Sequence, residues 1–208
     1  MTLNGNASRT RGQILEAAAD IISDQGISAL TAASLIEQAG ISKGGLYHHF
    51  KQMDEVMLAT LTMLVDRYLE LLDDGQDRNV MEVLDRLERN LFEVQLSQRR
   101  LLRALYCFAE VVMFRSAYRQ QMVRLFDGIR QLRRQQLQAA RPDLSDIQLQ
   151  QLSALLDIHV QGVLSRHQLD DEAMVADERA HWQAFRELFL QALPPVALVA
   201  EPPVELTA

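Results

Sequence analysis

Hydrogen-bond donors crowd one short stretch of the chain, Ser42-Lys43-Gly44-Gly45-Leu46-Tyr47-His48-His49-Phe50-Lys51. The ammonium groups of Lys43 and Lys51, the Tyr47 phenol, the His48 imidazole and the Ser42 hydroxyl are poor tools for bond cleavage but suit phosphate oxygens and base edges. Lys43 and Lys51 are the only two lysines in 208 residues. On a helix, Leu46 and Phe50 are four apart and pack inward with Ile41, which leaves Lys43, Gly44, Tyr47 and His48 on the outer side. Gly44 and Gly45 each weaken a helix by about 1 kcal/mol relative to alanine, yet they remove bulk where a backbone would approach a groove. The helix N-terminus also offers unpaired N–H groups to a phosphate. Plainer readings stand beside these. Ser42 and Thr31 also read as N-caps, Tyr47 as an aromatic at the core edge, His48 and His49 as surface histidines, and the two lysines as solvated charges.

Other chemistry has little support. There is no phosphate-binding glycine loop, no H-E-x-x-H, no G-x-S-x-G and no dinucleotide loop. Cys107 is the single cysteine; it forms no internal disulfide and has no base beside it in sequence. His159 and His167, eight apart, do not make a metal pair. The expectation is a protein that is not an enzyme and uses no cofactor or metal.

The elements that must position the donors are helical. Ile14, Ala18, Ile21 and Ile22 mark one face of a first helix over about 10–25, closed by Gly26. Thr31 caps a second over 32–39, ended by Gly40, and Ser42 caps a third through Phe50. Two short helices separated by Gly40 and Ile41 have the spacing of a helix-turn-helix. Further amphipathic patterns predict helices over about 53–72, 80–96, 99–114, 118–140, 146–166 and 172–193. Ser145 and Gln148 form a capping-box signature for the eighth of these nine helices. The fold class is therefore all-α: a three-helix head over 1–52, a larger helical domain over 53–193, and an unstructured Pro-rich tail over 194–208.

Composition fits such a protein, with 48% hydrophobic and 24% charged residues. The net charge of -7 is awkward for a nucleic-acid partner, since phosphate binding is mostly electrostatic. Residues 1–55 carry six acids (Glu16, Asp20, Asp24, Glu37, Asp54, Glu55) against Arg9, Arg11, Lys43 and Lys51. The basic footprint is a small patch, not a basic domain. No apolar run has the length of a membrane span, and the polar start MTLNGNASRTR has no signal-peptide core, so no membrane partner and a cytoplasmic location are expected.

The order Thr31, Ala39-Gly40-Ile41-Ser42, Gly44-Gly45, Leu46-Tyr47-His48-His49-Phe50 and Lys51 resembles the TetR/AcrR family of bacterial one-component transcription regulators. The likeness covers about residues 10–60. It implies that Lys43, Gly44, Gly45 and His48 lie in the major groove of double-stranded DNA, with Thr31, Ser42, Tyr47 and Lys51 on the backbone. It also implies a homodimer on a palindromic operator and a small-molecule effector held by the C-terminal domain. One departure is Met53, where the family often has a phosphate-contacting lysine, which suggests weaker nonspecific binding.

Candidates for the effector pocket are Met63, Tyr106, Cys107, Glu110, Met113, Phe114, Phe126 and His159, a mixture of apolar groups around two polar ones; ordinary core packing is the competing reading. Dimer candidates are Leu152, Leu156, Gly162 and Val163 on the eighth helix and Trp182, Phe185 and Phe189 on the ninth, or both helices simply complete the core. The function expected is a repressor released from its operator by a mainly apolar molecule. The alternative is a ligand-independent DNA-bound structural or cell-division protein on the same scaffold.

Overall fold

A computed structural model describes residues 3–73, 78–93, 95–167 and 172–195. Among these residues it contains ten α-helices: α1 (Leu3–Gln25), α2 (Ala32–Ala39), α3 (Lys43–His49), α4 (Met53–Leu72), α5 (Val80–Phe92), α6 (Leu96–Cys107), α7 (Ala109–Phe114), α8 (Ser116–Ala140), α9 (Asp146–His167) and α10 (Glu172–Ala192). The all-helical class is as expected. One predicted helix, over 99–114, is two. No glycine or proline announces the break: Phe108 turns fully inward, and its N–H bonds the Leu105 carbonyl three residues back, so the next turn starts on a shifted path. Most of the expected tail, from residue 196 on, lies outside the described residues. Among the described residues no helix is long and apolar enough to cross a membrane.

The helices form two compact units. The first holds α1 to α4, α6, α7 and α8 through Arg133; the second holds α5, the remainder of α8, α9 and α10. The boundary expected at residues 52 and 53 falls inside the first unit, because α4 shares the core of the head. Ile14, Leu15, Ala18 and Ile21 of α1 are buried with Leu35 of α2, Leu46 and Phe50 at α3, and Val56 of α4. α1 also packs along α6. At its far end α4 meets α8 closely, where a Cβ built on Gly128 would lie 2.8 Å from a methyl of Leu69. A side chain there would push the two helices apart.

In the second unit, α9 and α10 pack on each other and on α5. Leu152, Leu156, Val163, Trp182 and Phe189, expected at a dimer face, are instead buried inside this unit. The physical reason is that each helix has two apolar faces: the larger side chains fill the unit's own core and leave Leu155, Ile158 and Leu188 exposed. Glu88 of α5 ties the unit together by accepting from Trp182 Nε1 (3.2 Å), Gln183 Nε2 (2.8 Å) and Arg186 (3.0 Å). Replacing it by alanine leaves the buried indole N–H without this acceptor, which costs about 1–3 kcal/mol. Chemical denaturation of Glu88→Ala is expected to show that loss, and Glu88→Gln, whose amide oxygen still accepts, a smaller one.

Candidate DNA-binding site

Local chemistry fixes each turn of the head. Thr31 caps α2: its hydroxyl accepts from the Ser34 N–H at 3.1 Å, while the Ser34 hydroxyl oxygen accepts from the Thr31 N–H at 3.0 Å. Gly40 ends α2 with φ 62 and ψ 35, the left-handed region that glycine tolerates. Its N–H bonds the Glu37 carbonyl and that of Ile41 bonds Ile36, the paired bonds of a Schellman closure. Ser42 then caps α3 by accepting from the Gly45 N–H at 3.0 Å. Two caps and one left-handed glycine therefore set the angle between α2 and α3.

α3 turns Leu46 inward to 1% exposure and Phe50 follows it into the core. Lys43, Gly44, Tyr47 and His48 face solvent, with Tyr47 44% exposed, and Lys51 and Ser42 are exposed at either end. His48 and His49 meet edge to face, with centroids 5.2 Å apart. A Cβ built on Gly44 would meet nothing closer than the Ser42 hydroxyl at 3.9 Å. No packing within the chain requires glycine there. Gly45 is tighter, since its Cβ would come within 3.3 Å of that same hydroxyl and crowd the cap. Met53 lies partly buried against the head core, so it serves packing at the start of α4.

Arginines from outside the head answer its acidic excess. Arg67 of α4 forms a two-pronged pair with Glu16, and Arg100 of α6 pairs with Asp24 (2.6 Å) and Asp20 (3.1 Å). Arg115 pairs with Asp54, which also accepts from the Tyr118 hydroxyl at 2.6 Å. Burial pushes the Asp54 carboxyl up, but the Tyr118 hydroxyl and the Arg115 guanidinium outweigh it and hold the group below the ordinary aspartate value. The Tyr118 phenol is pushed well above its usual range, first by burial and then by Asp54. Glu55 accepts from the Lys51 N–H at 2.8 Å. Arg11 lies over the Phe50 ring at 5.0 Å, which adds a cation near the C-terminal end of α3. Sequence reasoning missed the roles of Arg11, Asp54, Arg67, Arg100, Arg115 and Tyr118. Their partners lie tens of residues away, where no spacing rule reaches.

Residues 14–60 match the family described as bacterial regulatory proteins, tetR family. The HTH-type transcriptional repressor KstR2 of Mycobacterium tuberculosis is 34% identical over 93 residues, which is 43% of this chain and 46% of that protein. The helix-turn-helix of this chain is similar to that of the TetR family. The sequence match spans less than half the length of that relative. The fold extends further: a TetR transcription regulator from Haloarcula marismortui superposes with a TM-score of 0.73 over 87% of this chain and 98% of that one, at 16% identity. A putative transcriptional regulator from Saccharomonospora viridis in complex with choline gives 0.71 over 86% and 96%, at 18% identity.

Beyond the helix-turn-helix, the residues expected to gather around an effector are dispersed. Met63 packs at the edge of the head core. Cys107 is half-buried at the end of α6, its thiol 3.6 Å from the Ile22 carbonyl, and burial pushes that thiol up, away from reactivity. Tyr106, Glu110, Met113, Phe114 and Phe126 are exposed on α6, α7 and α8. Glu110, a pocket candidate as a polar group in a largely apolar stretch, lies exposed because α7 is too short to bury it. A recess of about 690 Å³ in the first unit lies elsewhere and is lined by Glu16, Asp20, Arg67, Glu70 and Arg100, among others. Among the described residues no group of three or more His, Cys, Asp or Glu side chains is placed to hold a metal.

His159 stands in the second unit, stacked on Phe185 with centroids 3.8 Å apart, its Nε2 buried without a hydrogen-bond partner. Burial lowers its pKa below the ordinary 6.5; Glu178 opposes the shift, while His181 and Arg166 add to it. The unfolded chain then binds the proton more readily than the native one, so stability is retained above the unfolded pKa and falls as pH drops below about 6.5. Melting temperatures are expected to decline between about pH 7.5 and about pH 5.5, and less steeply in His159→Gln. Equal slopes in the two proteins would remove His159 from the account.

Proposed function

We propose that this chain is a DNA-binding transcription regulator of the repressor type, acting as a homodimer that lays α3 of each protomer in the major groove of a palindromic operator. The observation that carries this is the two-sided character of α3: Leu46 and Phe50 anchor one face, while Lys43, Gly44, Tyr47 and His48 stand free on the other. Thr31, Ser42, Tyr47 and Lys51 supply the backbone contacts in this reading, and the bare Gly44-Gly45 surface lets the helix start approach the groove closely. The transcriptional repressor KstR2, similar through the head, supports the assignment.

A small-molecule effector completes the proposal. Its support is the fold shared with the choline-bound regulator, and the C-terminal helices are where such a molecule would act.

Dimerisation is assigned to the exposed face of α9 and α10. Leu155, Ile158 and Gly162 recur at helical spacing on α9, Leu188 stands out from α10, and Ile158 is 72% exposed. Nothing lies within 4 Å of a Cβ built on Gly162, so a partner helix has room to come close. A dimer is needed to place two heads about 34 Å apart on one DNA face.

The test is to let the protein select duplexes from fragmented genomic DNA and to titrate the enriched duplex in gel shifts. Lys43→Ala and Tyr47→Ala are expected to abolish binding with unchanged thermal melts, and Leu46→Ala to destabilise the head by about 2–5 kcal/mol. Wild-type affinity in the first two variants would overturn the reading. Ile158→Asp is expected to yield a folded monomer in light scattering, whereas Leu156→Asp, in the unit's own core, is expected to unfold it. A folded Ile158→Asp dimer would locate the interface elsewhere.

A further inference from the structure

The first turn of α4 begins two residues after Lys51, and it is gripped from α8. Tyr118, 1% exposed, donates its hydroxyl to the Asp54 carboxylate at 2.6 Å and lies 3.1 Å from the Asp54 main-chain carbonyl. Arg115, the extended residue between α7 and α8, pairs with the same carboxylate and sets its guanidinium 4.9 Å over the Tyr118 ring. That ring stacks on Phe108, the buried residue at the break between α6 and α7, with centroids 6.2 Å apart. Both ends of α7 therefore lead to Asp54.

α7 has six residues and none of them is buried; Met113 and Phe114 are 62% and 79% exposed. A helix this short does not persist on its own propensity, and a segment with few buried contacts opens at low free energy. What holds it is local: the Arg119 guanidinium donates to the Met113 carbonyl at 2.8 Å, and the Val112 N–H donates to Phe108 at 3.0 Å. The grip on Asp54 is thus attached to the least anchored helix of its unit.

We propose that Asp54, Arg115 and Tyr118 form a latch that positions the α3–α4 corner for DNA, and that unseating α7 opens it. The inference rests on the DNA-binding reading above and names where that site is controlled. All three are positioning residues, acting through α4. Charge offers a sharp contrast. Asp54 is a negative group three residues from Lys51, so if its charge were all that counted, its removal would strengthen binding to phosphate. A latch demands the reverse.

The experiment uses the full chain and the duplex enriched by the wild-type protein from genomic fragments, read by fluorescence anisotropy, with amide hydrogen exchange on the free protein. Asp54→Ala and Tyr118→Phe are each expected to weaken binding at least tenfold. Their double variant should be no weaker than the poorer single, since both remove one interaction. Exchange should quicken at the first turn of α4 and stay unchanged at Leu35 and Leu46. Arg115→Gln, on a half-exposed side chain, covers the case in which a buried substitution unfolds the protein, and is expected to shift affinity and exchange in the same direction. Val112→Pro should reproduce the loss although α7 carries no DNA contact. Tighter binding by Asp54→Ala, or wild-type affinity and exchange in Tyr118→Phe, would overturn the latch, and a silent Val112→Pro would overturn the part given to α7. If the wild-type protein enriches no duplex, the DNA-binding reading fails, while unchanged α4 exchange in the variants defeats the latch separately.

Discussion

Burial of α1 is the constraint on which the first unit depends. Ile14, Ala18, Ile21 and Ile22 are all but inaccessible, and the helix packs against α2, α3, α4 and α6. An apolar stripe this broad cannot be satisfied by the helix-turn-helix alone. Leu35, Leu46 and Phe50 pack against it in one core, and Val56, carried by α4, helps to close that core. The register of α3 follows from this. With Leu46 seated against α1, Tyr47 and Lys43 have no choice but to point outward, and a shift of one residue along the helix would bury a phenol and expose a leucine.

The ionic layer over that core acts differently. Each exposed or half-exposed pair contributes about 0–1 kcal/mol, so Arg67, Arg100 and Arg115 add little stability by pairing with the head's acids. Their effect is on the field. Four of the six carboxylates in residues 1–55 pair with three arginines from outside that stretch, Arg100 serving both Asp20 and Asp24, which leaves three negative charges against the four positive ones of Arg9, Arg11, Lys43 and Lys51. Screening limits these charges to a range of about 8–10 Å, so an anion near α3 senses the local remainder and not the chain's total of -7. An acidic protein can carry a basic face in this way.

What was legible in the sequence was local. The caps at Thr31 and Ser42, the turn at Gly40 and the Ser145–Gln148 box each act across three or four residues, and all occur. The inward placement of Leu46 and Phe50 came from a four-residue interval. Interactions between distant segments were not legible: Tyr118 reaches Asp54 across 64 positions. The dimer and effector candidates show a second limit. Periodicity says that Leu156, Trp182 and Phe189 lie on apolar faces, but it does not say whether the chain's own core or a second chain covers them. Glu110 and Phe114, candidates for an effector pocket, stand exposed because a break at Phe108, with no glycine or proline to mark it, left α7 too short to pack.

The placement of the two lysines has a chemical consequence of its own. Every other basic side chain in the protein is an arginine or a histidine, so Lys43 and Lys51, both exposed on or beside α3, are the only lysine amines available to acylation. Acetylation would erase a positive charge on or beside the exposed side of α3 and nowhere else. Coupling through lysine to a solid support would likewise tether the molecule by that face and block it, whereas attachment through carboxylates or an added tag leaves the surface open.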